Sequence, residues 1–334
     1  MSSFKISIII PAFNEENNIR RILECACKQT YKEFEVIVVD DGSKDRTSEI
    51  AKTYAKQYSN FIYVHKENSG VSDTRNLGLK FVTGDYVCFW DADDWVGPDF
   101  LSNFIKSIGL TSNPQKTVLV AGCTIDYYIK QKKINTEEIH LNTSLFSRKE
   151  IIDSFVVKHE DYRLELWNKL FPIEIIKNKK FKSQFMLGED FEFFTQCLSD
   201  IEYLLTVNDN SYHYRIDTSQ MKHYTGFKKE IERERIIRKN LINAGVKDKD
   251  VNIFYFRRLL ITAYTAISFI TYDDKHEVKF ILNELKKSRI KLYKPYGNYK
   301  KAQYIMLFLV RSNSPFITQN FFEIKNKINS KKKN

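Results

Sequence analysis

The chain has 334 residues, 43% of them hydrophobic, enough for one large or two modest domains and too many for a small scaffold held by disulfides. Its net charge of +11 is unevenly spread: residues 228–334 carry 25 Lys+Arg against 10 Asp+Glu, whereas residues 1–227 carry 28 against 32, so a slightly acidic body precedes a basic tail. Long uncharged stretches such as 259–272 and 304–310 fall short of the ~18 apolar residues a membrane-spanning helix needs, and the first apolar run stops at Pro11, so neither a spanning helix nor a secretory leader is expected.

Residues 5–10 are a continuous apolar run, the mark of a strand covered on both faces. Residues 15–28 place Ile19, Ile22, Leu23, Ala26 and Cys27 at helical spacing. A strand over 34–39, a helix over 45–58, a strand over 61–65, a helix over 71–82 and a strand over 86–90 follow. This alternation predicts a doubly wound, Rossmann-like α/β domain with a mostly parallel central sheet flanked by helices. Further on, the pattern predicts a helix opening at Gly97-Pro98, with Pro at its first position, a strand over 117–125 and a polar excursion over 126–143. A helical pattern runs from Gly188 to Leu198, and strands over 202–207 and 212–215 close the α/β region.

Beyond 228 the texture changes to helical patterns rich in Lys, Arg, Tyr and Phe, broken at Pro295 and Pro315, with Leu259, Leu260, Ala263, Ile267 and Ile270 as a candidate buried stripe. The expected domains are therefore 1–227 and 228–334, the second a basic helical C-terminal extension that ends in Lys331-Lys332-Lys333, a run expected to fray. The five cysteines, Cys25, Cys27, Cys88, Cys123 and Cys197, lack zinc-ligand spacing and read as reduced core thiols of a cytoplasmic protein.

In sheets of this kind ligands bind beyond the carboxyl ends of the strands. Polar residues gather at three such ends: Pro11-Ala12-Phe13-Asn14-Glu15, Asp40-Asp41-Gly42-Ser43 and Asp91-Ala92-Asp93-Asp94. Carboxylates at the end of a buried strand need a cation, and Mg²⁺ or Mn²⁺ favours carboxylate oxygen together with substrate phosphate. An Asp-rich turn accounts for the same residues. Asp40 suits a base imide or ribose hydroxyls, whereas Asp41-Gly42-Ser43 also reads as a turn with Ser43 capping the next helix. Arg75 offers a planar guanidinium for a diphosphate, or is a solvated helix residue. Glu189-Asp190 either complements a helix dipole or supplies a general base. His213, in Tyr212-His213-Tyr214-Arg215, is a metal-ligand candidate or a structural histidine. No Gly-x-Gly-x-x-Gly and no Walker sequence occurs.

Taken together, Ile8-Ile9-Ile10-Pro11-Ala12-Phe13-Asn14-Glu15, Val39-Asp40-Asp41-Gly42-Ser43, Arg75-Asn76-Leu77-Gly78 and Phe89-Trp90-Asp91-Ala92-Asp93-Asp94-Trp95 closely resemble the family 2 glycosyltransferases of GT-A fold. Trp167-Asn168-Lys169-Leu170 and Gly188-Glu189-Asp190 extend the resemblance to about residue 220, and the basic tail lies outside it. The resemblance implies an inverting, metal-dependent transfer of a sugar from a nucleotide-diphosphate donor, a UDP-sugar above all, to an acceptor hydroxyl. By that pattern Pro11, Asn14, Glu15, Asp40 and Asp41 would line the nucleoside pocket, while Arg75, Asp91 and Ala92 would meet the donor. Asp91 and Asp93 would hold Mn²⁺ or Mg²⁺, with His213 a further candidate, and Asp190 would be the base. Trp167, Lys169 and Glu189 are the candidate acceptor residues.

The Gln-x-x-Arg-Trp sequence of polymerising relatives is absent, so a single transfer is expected, and Tyr214-Arg215 to Ser219 resembles a segment of the non-processive members. Expected partners are the nucleotide-sugar donor and a glycan, lipid-linked or glycoprotein acceptor in bacterial surface polysaccharide or teichoic acid synthesis. The basic tail suits peripheral contact with anionic membrane at the inner face of the cell membrane, or a homo-oligomer, and no nucleic acid partner is expected. Two other readings stay open. A sugar-nucleotide pyrophosphorylase would carry a Gly-rich loop after its first strand, where 11–18 has no Gly; a non-catalytic nucleotide- or glycan-binding module would not need Asp190.

Overall fold

The apolar run after Phe4 becomes β1 (Ile6–Ala12), an interior strand of the larger sheet, buried on both faces. The computed structural model describes residues 4–158, 165–185, 188–217, 227–269 and 275–287, together with 304, 305 and 308. It divides into two units, one of Met1–Phe155 and Glu160–Met221, the other of Val156–His159 and Lys222–Asn334.

In the first unit α1 (Ile19–Cys27) leads to β2 (Phe34–Asp40), α2 (Thr47–Gln57) to β3 (Phe61–His65), and α3 (Val71–Gly78), with a 3₁₀ turn at Leu79–Phe81, to β4 (Tyr86–Phe89). Strands β1 to β4 pair in parallel, in the order β3-β2-β1-β4. Ile6, Ile8 and Ile10 meet Ile19, Ile22, Leu23 and Ile50 of α1 and α2 on one face. On the other, α3 packs against β1 and β2, with Gly78 beside Ile9.

After β5 (Trp95–Val96) and α4 (Phe100–Ile108) come β6 (Thr117–Ala121), β7 (Cys123–Ile129), β8 (Lys132–Ile139) and β9 (Ser144–Ser147). Then follow α5 (Arg148–Ile152), β10 (Lys169–Pro172), α6 (Ile173–Ile176), α7 (Glu189–Cys197), β11 (Tyr203–Val207) and β12 (Tyr212–Asp217). The larger sheet reads β3-β2-β1-β4-β10-β6-β11-β9, mostly parallel, with β10 antiparallel to both its neighbours and β9 antiparallel at the edge. This is the fold expected from the strand and helix alternation.

A second, four-stranded sheet, β5-β12-β7-β8, was not expected. The strand predicted over 117–125 breaks at Gly122, where a Cβ would lie 2.1 Å from Ile139 O and 2.9 Å from Asp209 O, so only glycine lets these backbones approach. The chain then changes sheets. The predicted polar excursion 126–143 is instead largely the β7–β8 hairpin, turned by Lys130 and Gln131 at φ 47° and 67° without the usual Asn or Gly.

Helices begin later than their apolar periodicity. Residues 15–18 form a turn in which Glu15 O accepts from Asn18 N and Ile19 N, and α4 starts at Phe100 because Gly97 O and Pro98 O accept from Gln29 and Thr30. Cys88, Cys123 and Cys197 are buried, Cys25 and Cys27 half-buried, and all five are free thiols.

In the second unit α8 (Phe227–Asn243), α9 (Asp248–Phe269) and α10 (Lys275–Lys287) bury Ile237, Leu241, Phe254, Leu259, Leu260, Ala263 and Leu285. The side chains of Ile267 and Ile270, and Pro295, Pro315 and Lys331 to Lys333, lie outside the described residues. Some of the tail's positive charge is internal: the buried Glu234 carboxylate binds Arg258 Nε at 2.5 Å and Nη2 at 2.8 Å, and Arg233 Nη2 at 2.9 Å. No helix among the described residues is long and apolar enough to cross a membrane.

Candidate active site

The first two strand ends are locked to each other. Asn14 adopts φ 55°, a left-handed conformation that Asn tolerates; its N–H donates to Ser43 Oγ at 2.9 Å and its Oδ1 accepts from Lys44 N at 2.9 Å. Glu15 N donates to Thr47 Oγ1 at 2.7 Å. Ser43 therefore holds the neighbouring loop rather than capping α2, whose first amide, Thr47 N, donates to Asp45 Oδ1. Pro11, half-exposed, sits opposite Val39 at this edge.

Asp40 is fully buried, with Oδ1 accepting from Ser43 N at 3.0 Å and Oδ2 bound to Tyr63 OH at 2.8 Å and His65 Nδ1 at 2.9 Å. Burial works against its charge, yet these donors hold the carboxyl below its ordinary range. Asp41 accepts from Ser69 N and Gly70 N at 2.9 Å each and from Lys66 Nζ, fixing the loop that opens α3. Both carboxylates thus shape this wall from within.

The centre is Arg75, 3% exposed on α3. Its Nη1 lies 2.5 Å from Asp190 Oδ1 and 3.3 Å from Glu189 Oε1, and its Nη2 3.1 Å from Asp91 Oδ1. The guanidinium lies 5.5 Å over the Phe181 ring. Burial disfavours its charge, but Asp190, Asp91 and Glu189 hold it firmly protonated. Its Nε and the indole Nε1 of Trp167 are buried without a hydrogen-bond partner, and an incoming acceptor atom would satisfy either. Gly188, at φ 72°, makes the left-handed turn that starts α7 and delivers Glu189 and Asp190 to Arg75. Leu166 N adds a 3.3 Å bond to Asp190 Oδ2.

Asp91, Ala92 and Asp93 lie on a turn braced by residues that motif reading left unassigned. Tyr212 OH accepts from Asp91 N at 3.1 Å and donates to Asp94 Oδ2 at 2.8 Å, and Arg215 N donates to Asp94 Oδ1 at 2.8 Å. Arg21 donates to Asp93 O at 2.5 Å and to Asp94 O, and its guanidinium lies 4.5 Å over Trp95. Trp95 stacks on His213, whose Nδ1 meets Asp126 Oδ2 at 3.0 Å. The signal for this brace was the Tyr212 to Arg215 quartet, whose pairing with Trp95 and Val96 depends on the unforeseen second sheet.

Of the candidate acceptor residues, Trp167 is buried and stacks on Tyr212 at 4.7 Å and Tyr214 at 5.0 Å. Lys169 is fully buried, donating to Glu165 O at 2.6 Å and Asn168 Oδ1 at 2.8 Å, and reaches no open surface in this structure. Glu189 is bound to Arg75.

The donor set suits a divalent cation. Burial and, behind it, the charges of Asp190 and Asp93 push Asp91 up to about 6 in spite of Arg75, and burial with Glu15 pushes Asp93 up to about 6. Burial and Asp190 push Glu189 up to about 7. Such crowding of carboxylates is relieved by a bound cation. Among the described residues no three acidic, His or Cys side chains form a closed metal cage, so a cation here would draw further ligands from water and phosphate, the habit of Mg²⁺.

Residues 7–180 match the family described as Glycosyl transferase family 2. The chain is 30% identical over 221 residues to Glycosyltransferase GlyA of Streptococcus pneumoniae, a match covering 64% of this chain and 30% of that protein. It is 29% identical over 219 residues to Minor teichoic acid biosynthesis protein GgaB of Bacillus subtilis, covering 64% of this chain and 23% of GgaB. The chain thus spans less than a third of the length of either relative. Among solved structures, TarS 1-349 of S. aureus in complex with UDP-GlcNAc superposes with TM-score 0.72 at 19% identity, over 97% of this chain and 92% of that one, and shares the fold.

Proposed function

Since this chain belongs to glycosyltransferase family 2, we propose that it moves one sugar from a nucleotide-diphosphate donor, a UDP-sugar above all, to an acceptor hydroxyl with inversion at the anomeric carbon. The observation that carries this is the Arg75 centre, where one buried guanidinium joins Asp91, from the end of β4, to Glu189 and Asp190, at the start of α7. Donor-side and acceptor-side carboxylates therefore share one small volume.

The interlocked loops of Asn14, Glu15, Asp40 and Asp41 form the wall for the nucleoside, with Pro11 at its edge. Ala92, buried between Asp91 and Asp93, keeps the turn close to the donor. Arg75 orients Asp190 and offers its Nε to donor oxygen. Asp190 takes the proton of the acceptor hydroxyl as that oxygen bonds to the anomeric carbon; the bond from that carbon to the diphosphate breaks on the opposite face, its electron pair leaving with the diphosphate. A positioned base of this kind contributes about 10²- to 10⁴-fold. Asp91 and Asp93 would hold Mn²⁺ or Mg²⁺, with His213 beside the turn, and the cation would neutralise charge on the leaving diphosphate.

Trp167, Lys169 and Glu189 support the acceptor side, the first two by fixing the chain that leads to β10. The name of GgaB, a minor teichoic acid biosynthesis protein, favours an acceptor among bacterial surface polymers. Residues 228–334 are proposed to supply an acceptor, membrane or subunit surface. A donor-hydrolysis panel of UDP-, GDP- and dTDP-sugars with Mn²⁺, Mg²⁺ or EDTA tests the proposal. A UDP-sugar is expected to be cleaved, and EDTA to abolish cleavage. Activity indifferent to EDTA removes the metal from Asp91 and Asp93, and inertness toward every donor overturns the proposal.

A further inference from the structure

Away from the strand ends, a cavity of about 760 Å³ lies between α3, the 3₁₀ turn that follows it, α6 and the segment 177–184. Its walls carry five lysines, Lys80, Lys177, Lys179, Lys180 and Lys182, against one carboxylate, Asp73, which is bonded to Ser183 Oγ. Lys177 pairs with Glu174 and Lys179 with Asp200, whereas among the described residues Lys80, Lys180 and Lys182 have no ion-pair partner. This positive concentration stands in the part of the chain where Asp and Glu outnumber Lys and Arg, 32 to 28, so it is a local feature and not the overflow of a basic surface. The lining also carries four aliphatic side chains, Leu79, Val82, Ile173 and Ile176, beside the polar Asn76, Ser183 and Gln184.

One wall is shared with the active site. Asn76 clamps Phe181 through Nδ2 to Phe181 O and Oδ1 from Phe181 N, both at 2.9 Å, and the Phe181 ring lies beneath Arg75. An occupant of the cavity is one side chain away from the guanidinium that orients Asp190.

We propose that this cavity binds a linear, phosphate-bearing polyanion, the body of an acceptor chain whose hydroxyl end is presented to Asp190; the acceptor role rests on the transferase assignment above. Lysines act as point charges on flexible stems and tolerate phosphates at loose spacing, where arginines would demand a fixed fork. The aliphatic lining suits the C–H faces of sugar or polyol units between phosphates. A concave site does not meet the flat face of a bilayer, which calls for protruding basic residues. Nucleic acid needs exposed aromatic faces for its bases, and the one ring in this lining, Phe181, is buried against Phe193.

The test measures binding of a short, fluorescently labelled linear polyphosphate to the full chain by anisotropy, which needs no donor and no turnover. Lys180→Glu/Lys182→Glu is compared with Lys56→Glu/Lys106→Glu, a reversal of equal charge at exposed positions of α2 and α4. The cavity variant is expected to weaken binding at least about tenfold and the control less than about twofold, with UDP-sugar hydrolysis equal to wild type in both. Equal weakening in both variants overturns the proposal, because binding then follows net charge alone. Competition by anionic vesicles or by a single-stranded oligonucleotide as strong as that of unlabelled polyphosphate overturns it in favour of a membrane or nucleic acid. Should the charge reversal lower the melting temperature, Lys180→Gln/Lys182→Gln takes its place, and unchanged affinity there is also contrary. Polyphosphate binding that depends on these lysines in a chain that cleaves no nucleotide-sugar would sustain the cavity as an anion site and sink only the transferase assignment.

Discussion

Arg75 Nη1 lies 2.5 Å from Asp190 Oδ1, joining residues 115 positions apart in sequence. The same guanidinium holds Asp91, so the proposed base, Asp190, and the proposed donor-side carboxylate, Asp91, are tied to one side chain. Asp190→Asn removes one negative charge from an overcrowded centre and keeps its shape. Transfer is expected to fall about 10²- to 10⁴-fold with little change in melting temperature. Near wild-type transfer to a true acceptor would displace Asp190 as the base.

Tyr212→Phe isolates the brace under the Asp91 to Asp94 turn. The hydroxyl serves both Asp91 N and Asp94 Oδ2, and both partners are inside the protein. Its loss strands a donor and a carboxyl, at a cost of about 1–3 kcal/mol. Urea unfolding reads the cost, and donor hydrolysis should fall with it. Unchanged values of both would show that the turn stands without the Tyr212 hydroxyl.

Glu35 gives a pH-dependent prediction away from the site. Its carboxylate, 6% exposed, accepts from Ser7 Oγ, Lys5 Nζ, Thr83 N and Thr83 Oγ1 at 2.6–2.8 Å. Burial opposes the charge, but these donors hold the carboxyl below its ordinary 4.5. A depressed folded value means that the stabilisation is fully present above pH 4.5 and fades as pH falls through the folded value. Wild type should therefore exceed Glu35→Gln in unfolding free energy at pH 7, with the gap closing in acid. A gap constant from pH 7 to pH 3 would remove the carboxylate's charge from the explanation.

Gly122→Ala tests the switch between sheets. The new methyl would press on two backbone carbonyls, Ile139 O and Asp209 O, so a loss of more than about 2 kcal/mol is expected. Wild-type stability would mean that the strands separate for another reason.

Part of the candidate site was legible because polar residues collect at strand ends in a parallel sheet, which singled out Asp40 and Asp91, whereas Arg75 also read as a solvated helix residue and only the structure buries it. The brace was not legible. Tyr212, Arg21 and Asp94 converge only because β5 and β12 pair in a second sheet, and that sheet hangs on the chain switching at Gly122, which a continuous apolar run conceals. The β7–β8 hairpin was hidden by its turn, since Lys130-Gln131 carries none of the residues that favour positive φ. Helix starts were misjudged where loop amides were diverted to bonds between strand ends, as Glu15 N is to Thr47. Hydrophobic periodicity carries no trace of such diversions.

The reaction we propose for this chain is displacement at the anomeric carbon, assisted by Asp91 and Asp93, with inversion. Its most direct test is time-resolved proton NMR of the sugar released from an α-linked UDP-sugar by the wild-type chain with Mn²⁺. The β-anomer is expected first, and no release with EDTA or with Asp91→Asn. Release of the α-anomer first, or release undiminished without the metal, would contradict it.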